Sequence, residues 1–157
     1  MSNELMSRAR RWEVLDQLCK TIDAKHVVEV GCKEGRTTAH LLRNNPGLTV
    51  TAIDPWRPIA NQSETYDEWN FAEIERVFWE NVGEDKDRCR MLRFTSIEAA
   101  AMIDSADLVF IDAGHDYQHK FPGVMRAVAK AFPLLRVGVF PDSVWAVVKD
   151  QTLELVA

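Results

Sequence analysis

The feature that most constrains the fold is a strand–turn–helix–strand pattern in the first third of the chain. Residues 27–30 form a short apolar run, as expected of a buried parallel strand. The turn after it contains Gly31 and Gly35, and a second apolar run ends at Asp54. This layout is typical of a β-α-β unit that binds a nucleotide, because glycine lets the backbone approach the ligand and the acid accepts hydrogen bonds from a ribose.

The spacing of the glycines bears on which nucleotide would be bound. The dinucleotide fingerprint Gly-x-Gly-x-x-Gly is absent, since the turn has only Gly31 and Gly35, and Glu29 stands two residues before the first. A nicotinamide-binding domain is therefore the weaker interpretation. Cys32 lies inside the turn, and a small residue tolerated beside the ligand explains it more simply than a reactive thiol does.

The remaining segments continue the alternation of strands and helices. Strands are predicted at residues 27–30, 48–53, 89–94, 107–112, 135–140 and 144–149. Helices are predicted at residues 3–23, 37–44, 68–82, 99–103 and 122–132. Residues 95–98 fit a capping box, and the helix that this box opens runs through residues 99–103. The order predicts an α/β, Rossmann-like, doubly wound sheet that is mostly parallel, has about six strands and ends in an antiparallel hairpin.

Length and composition limit the class of protein. The 157 residues predict one domain, with an N-terminal helix in residues 1–24 and a Rossmann-like core in residues 25–150. A net charge of −5 argues against a generic nucleic-acid binder. No run approaches the ~20 apolar residues of a membrane helix, and the first residues do not form a signal peptide. The three cysteines lack metal-ligand spacing and indicate reduced thiols. We therefore expect a cytoplasmic protein that binds neither nucleic acid nor a membrane.

Two further motifs lie in the second half of the chain, Phe110-Ile111-Asp112 and Gly114-His115-Asp116-Tyr117. They are followed by Phe121-Pro122-Gly123-Val124, by Arg126-Ala127-Val128 and by Asp142-Ser143-Val144-Trp145. With the glycine turn and the acid that ends the second strand, this ordered set resembles the small class I S-adenosylmethionine-dependent methyltransferases. The resemblance extends over residues 25–149 and implies S-adenosylmethionine as the cofactor.

The resemblance also implies a set of cofactor-binding residues. The backbone of Gly31 and Gly35 would approach the methionine end, and Glu29 would fix the turn or take the amino group through water. Asp54 would accept both ribose hydroxyls, since a carboxylate can accept from a vicinal diol. The alternative is that Asp54 is a strand-end acid that caps a nearby helix. The other residues assigned to the cofactor are Trp56, with Pro55, on one adenine face, Ser96 or Ile97 at the other adenine edge, and Asp112.

The candidate catalytic residues are His115, Asp116 and Asp112. Methyl transfer requires alignment of the acceptor and removal of its proton. His115 is the favoured general base, because the pKa of histidine suits proton transfer near neutral pH. Two alternatives stay open: these residues could hold a divalent metal, which is not predicted, or they could be loop residues that satisfy one another. Four aromatic residues would line an acceptor pocket or belong to the core: Trp69, Phe71, Phe78 and Trp79.

The chain departs from the family pattern at Ala113, which alone separates the two motifs of the second half. In the relatives a helix and a fifth strand lie between them, so about thirty residues are absent, either deleted or left out of the numbered chain. Because one helix and one strand are lost together, the remaining elements keep their direction. Residues 144–149 are therefore predicted to lie antiparallel beside residues 107–112, and the altered sheet edge could support a homodimer.

These features predict methyl transfer from S-adenosylmethionine to a small-molecule acceptor, at an oxygen atom. The alternative is a catalytically inactive remnant that binds the cofactor, or that only folds and associates through its shortened sheet edge. Measuring cofactor binding together with methyl turnover separates these two hypotheses.

Overall fold

The computed structural model describes residues 11–58 and 69–112, together with the backbone of two later strands. In chain order the described elements are α1 (Arg11–Thr21), β1 (His26–Val30), α2 (Arg36–Asn44), β2 (Thr49–Ile53), α3 (Phe71–Val82), a 3₁₀-helix (Gly83–Arg88), β3 (Cys89–Leu92), α4 (Ser96–Ala100), β4 (Leu108–Ile111), β5 (Leu135–Phe140) and β6 (Val144–Lys149). Within these ranges no helix has the length and apolar character needed to cross a membrane.

The described strands form one sheet in the order β3-β2-β1-β4-β6-β5. The first four in this order run parallel to one another, while β6 is antiparallel to both β4 and β5. The chain moves outward from β1 to β3 and then returns to β4 on the other side of β1. The strand order therefore reverses between β1 and β4, and ligands of such sheets bind outside the carboxyl ends of the strands at this point.

The predicted fold class is confirmed, including the antiparallel hairpin. The predicted position of residues 144–149 is also confirmed, because Val147 on β6 pairs with Val109 on β4. Some predicted ends were wrong: the third strand ends at Leu92, and the third helix begins at Phe71 rather than at residue 68. The predicted helix at 122–132, the start of the first helix and the omission after Ala113 lie outside the described residues.

Local capping explains where two helices begin. The side chain of Asn70 accepts a hydrogen bond from the Glu73 N–H at 3.1 Å, and α3 starts at the next residue. At α4 the predicted capping box is confirmed, since Thr95 and Glu98 each accept a backbone N–H of the other. The helix begins at Ser96, directly after the predicted cap, but it ends at Ala100 and not at the predicted residue 103.

The sheet has an apolar layer on each face. Val27 on β1 belongs to the larger cluster, with residues of α1, α2 and α3. Val28 and Val30 point to the opposite face and pack with residues of β4 and α4. Because side chains alternate along a strand, Glu29 shares the Val27 face, where α2 covers it. Glu29 is thus an ionisable side chain buried in the core, next to the end of β1.

Candidate functional site

A turn of unusual backbone geometry follows β1 at the point where the strand order reverses. Gly31 and Gly35 have φ angles of 88° and 70°, and Lys33 between them has 45°. The Gly31 N–H donates to the Ile53 carbonyl on β2 at 2.8 Å, which holds the turn against the carboxyl ends of the strands. Positive φ is readily adopted by glycine, so the two glycines are what allow this path.

Asp54 ties the glycine turn to the end of β2. One carboxylate oxygen accepts the Lys33 N–H and the other accepts the Trp56 N–H, each at 3.0 Å. Burial raises the pKa of Asp54, and these two N–H groups oppose the rise. The backbone N–H of Cys32 is a third group that opposes the rise. A carboxylate offers about four acceptor positions, so acceptor capacity remains beside these backbone donors. Asp54 thus accepts backbone N–H groups, as the alternative interpretation of a strand-end cap expected. These groups belong to the glycine turn and to Trp56, and not to a helix end.

Glu29 is a buried carboxyl directly beneath the turn. Its side chain is 2% exposed and accepts a hydrogen bond from the Thr38 hydroxyl on α2. Burial raises the pKa of Glu29 to about 8; the Thr38 hydrogen bond opposes this shift, and the negative charge of Asp112 adds to it. Burial therefore favours the protonated form of this carboxyl. A cationic ligand nearby would favour its charged form.

Asp112 brings a third carboxylate to the same crevice. It directly follows β4, and its N–H donates to the Val30 carbonyl at 2.8 Å, which places it beside Gly31. Its side chain forms an ion pair with Arg11, the first described residue of α1. The positive charge of Arg11 also opposes the rise in the pKa of Glu29. The structure therefore brings Glu29, Asp54 and Asp112 together around the turn.

Trp56 and Gly35 have a clear part in the packing below the turn. Trp56 is 6% exposed, donates through Nε1 to the Lys33 carbonyl at 3.0 Å, and meets the Phe78 ring edge-on. A Cβ at Gly35 would lie 2.5 Å from Phe78, so the missing side chain of Gly35 is needed by the core. Phe78 itself is fully buried, which places it in the core and not in an acceptor pocket.

The other candidate residues are less constrained by the described geometry. Ser96 begins α4, after β3, and the following Ile97 is 68% exposed. Trp69 is 36% exposed, with the Lys33 ammonium 4.2 Å from its ring centre. His115 and Asp116 lie outside the described residues, so their roles stay predictions. In the described part of the chain no group of three or more metal-ligating side chains is found.

Sequence reasoning missed two residues of the site, Thr38 and Arg11. Thr38 lies on the helix after the glycine turn, and a polar residue on its buried face was a usable signal. Arg11 is 101 positions from the aspartate that it contacts, and no local pattern connects the two. The thiol of Cys32 is buried within the turn, which raises its pKa well above the ordinary value. This supports the reading of Cys32 as a small, unreactive residue.

The three carboxylates fit a ligand that carries positive charge and a vicinal diol. Glu29 and Asp112 would favour a cation, and Asp54 retains acceptor capacity for hydroxyl groups. S-adenosylmethionine has these groups in its sulfonium, its ammonium and its ribose. The residues that are present therefore fit the cofactor that the sequence resemblance implies.

A family model described as a methyltransferase domain matches residues 28–141. This is most of the chain, and the chain belongs to that methyltransferase family. No curated protein sequence gives a significant match to the chain.

Solved structures with the same fold include several methyltransferases. A provisionally assigned caffeoyl-CoA O-methyltransferase from Staphylococcus aureus has a TM-score of 0.54 and 12% identity, over 90% of this chain and 85% of that chain. The SAH-bound methyltransferase PaMTH1 of Podospora anserina has a TM-score of 0.53 and 12% identity, over 96% and 83%. An O-methyltransferase from Bacillus cereus in complex with SAH has a TM-score of 0.50 and 17% identity, over 88% and 80%. At sequence identities this low, the structural similarity shows a shared fold alone.

Proposed function

We propose that the protein transfers the methyl group of S-adenosylmethionine to an oxygen atom of a small-molecule acceptor. The observation that carries the proposal is the convergence of Glu29, Asp54 and Asp112 around the positive-φ turn, at the reversal of strand order. Membership of a methyltransferase family supports the reaction class. Neighbours of the same fold that were solved with SAM or SAH support the choice of cofactor.

The cofactor would be held between the glycine turn and the ends of β2 and β4. The ammonium of its methionine end would lie near Glu29 and Asp112, while the ribose hydroxyls would donate to Asp54. Ser96 and the exposed Ile97 would bound the adenine, and Trp56 would support this region from below. When bound, the cofactor supplies an electrophilic methyl group on a sulfonium.

The chain's own part in the reaction is to orient the acceptor and accept its proton. An in-line displacement depends on alignment, so a closed and shaped site contributes much of the rate. We assign the general base to His115, with Asp116 and Asp112 orienting it or the acceptor. If these residues instead hold a divalent cation, a chelator should abolish turnover and added Mg²⁺ should restore it.

Replacing Asp54 by alanine should weaken binding of S-adenosylhomocysteine (SAH) by about 1.5–3 kcal/mol, the usual contribution of hydrogen bonds to a charged group. The variant should also melt at a lower temperature, because the Lys33 and Trp56 N–H groups lose their acceptor. Isothermal titration calorimetry with SAH and with NAD measures the effect. Tight NAD binding without SAH binding would contradict the proposed function.

The matched control for this variant is Asp107→Ala. Asp107 accepts the N–H groups of Lys25 and His26 at 2.8 Å each, and it does so at the opposite end of the sheet. Its loss should also destabilise the fold, but it should leave the affinity for SAH unchanged. If both variants lose the same affinity, Asp54 acts on stability alone and does not contact the ribose.

Replacing His115 by alanine should lower turnover by about 100-fold or more, the usual contribution of a general base. The affinity for SAH should stay within about twofold of the unchanged protein, because His115 is assigned to the acceptor side. SAH release in the presence of a panel of phenols, catechols and carboxylic acids gives the rate. Full turnover in the variant would exclude His115 as the base. SAH binding without turnover on any acceptor would favour the inactive remnant.

A further inference from the structure

Arg11 places a positive charge at the crevice that would receive the ligand. Its guanidinium forms an ion pair with Asp112, which is anchored beside the glycine turn by its N–H bond to the Val30 carbonyl at 2.8 Å. Adjacent strands of a sheet lie about 4.8 Å apart, so the ion pair is one strand away from Gly31. The charge of Arg11 also acts on the buried carboxyl of Glu29.

The ion pair leaves part of the guanidinium open to other partners. The side chain of Arg11 is 42% exposed, and that of Asp112 is 17% exposed. The contact is made through Nη1, whereas a guanidinium carries five N–H donors in a planar fork. Donors therefore remain for a second carboxylate. A partly exposed pair of this kind contributes little to stability.

We propose that Arg11 binds the α-carboxylate at the methionine end of the ligand and so selects ligands that carry an intact amino-acid group. The inference rests on the proposed function. The methionine end carries an ammonium and a carboxylate side by side. Glu29 and Asp112 match the ammonium, and the guanidinium matches the carboxylate because its fork can make two parallel hydrogen bonds to such a group. One crevice thus presents both charges that a zwitterion requires.

The test compares two ligands that differ in the amino-acid group. SAH carries it, while 5′-methylthioadenosine keeps the adenosine and the sulfur but lacks the amino acid. Calorimetric titrations use the full chain, unchanged and as the variants Arg11→Ala and Arg11→Lys. Arg11→Ala should weaken SAH binding by about 10- to 100-fold and leave 5′-methylthioadenosine within about twofold. Arg11→Lys should lose less affinity for SAH than Arg11→Ala does, because lysine keeps the positive charge but lacks the planar fork of guanidinium donors.

Arg76→Ala is the matched control, since Arg76 forms exposed ion pairs on α3 with Glu73 and Glu80. It should change the affinity for neither ligand. If Arg11→Ala loses affinity for both ligands equally, Arg11 has a structural role only. If its affinity for SAH is unchanged or higher, Arg11 does not contact the carboxylate. Either result overturns this inference while the proposed function stands, because the unchanged protein still binds SAH. Failure of the unchanged protein to bind either ligand overturns both.

Discussion

Replacing Gly35 by alanine is expected to destabilise the protein by about 2–5 kcal/mol. An alanine held at a left-handed φ costs about 1–2 kcal/mol, and overpacking of a core adds about 1–3 kcal/mol. Both conditions hold at Gly35, whose φ is 70° and whose added Cβ would lie 2.5 Å from Cδ2 of Phe78. Phe78 has little freedom to move away, because Trp56 and Trp79 each pack edge-on against it at 5.2 Å.

Two other glycines serve as comparisons. Gly83 has open space around its Cα, so Gly83→Ala adds no steric overlap and tests a backbone cost alone. That cost is not the one at Gly35, because Gly83 has a φ of 61° with a ψ of −124°, whereas Gly35 is left-handed with a ψ of 23°. Gly47 has neither a positive φ nor a neighbour within 4 Å, so Gly47→Ala should be neutral or slightly stabilising. Urea denaturation of the three variants gives the free energies of unfolding. A Gly35→Ala variant destabilised by no more than the ~1–2 kcal/mol of a left-handed alanine would show that the overlap with Phe78 is relieved without cost.

Most of the fold could be predicted from the sequence because its signals are local. A buried parallel strand is a short apolar run, and a capping box is read from two residues such as Thr95 and Glu98. Even the antiparallel position of β6 followed from chain direction alone. Predicted ends were less accurate where a cap lies inside the expected helix, as Asn70 does before α3.

The candidate site was predictable in part. The turn glycines and the acids that end β2 and β4 follow strands directly, so their meeting at one edge of the sheet follows from the topology. What Asp54 and Trp56 contact there depends on backbone N–H and carbonyl directions, and no residue pattern specifies these. Arg11 meets Asp112 only through the packing of α1, which is a long-range consequence of the fold. The sequence could therefore predict the acidic residues of the site, but it could not predict that Arg11 lies beside Asp112.

Glu29 should make the stability of the protein fall as the pH rises. Its pKa is raised from the ordinary value of 4.5 to about 8, chiefly by burial. The folded protein therefore binds a proton more tightly at this site than the unfolded chain does. The stabilisation is fully present below pH 4.5 and is lost progressively as the pH rises through about 8. At about 1.4 kcal/mol for each pH unit, the change amounts to about 4–5 kcal/mol.

The variant Glu29→Gln isolates this effect, because glutamine is nearly the same size, stays neutral and can still accept the Thr38 hydroxyl hydrogen bond. Urea denaturation of both proteins from pH 5 to pH 9 gives the difference in free energy of unfolding. The difference should move steadily in favour of the variant as the pH rises, since only the unchanged protein must bury a negative charge. Glu84→Gln, at an exposed glutamate of the 3₁₀-helix, is the control and should run parallel to the unchanged protein. If the Glu29→Gln curve also runs parallel, Glu29 loses its proton without cost, and the buried carboxyl must already have a compensating positive charge beside it.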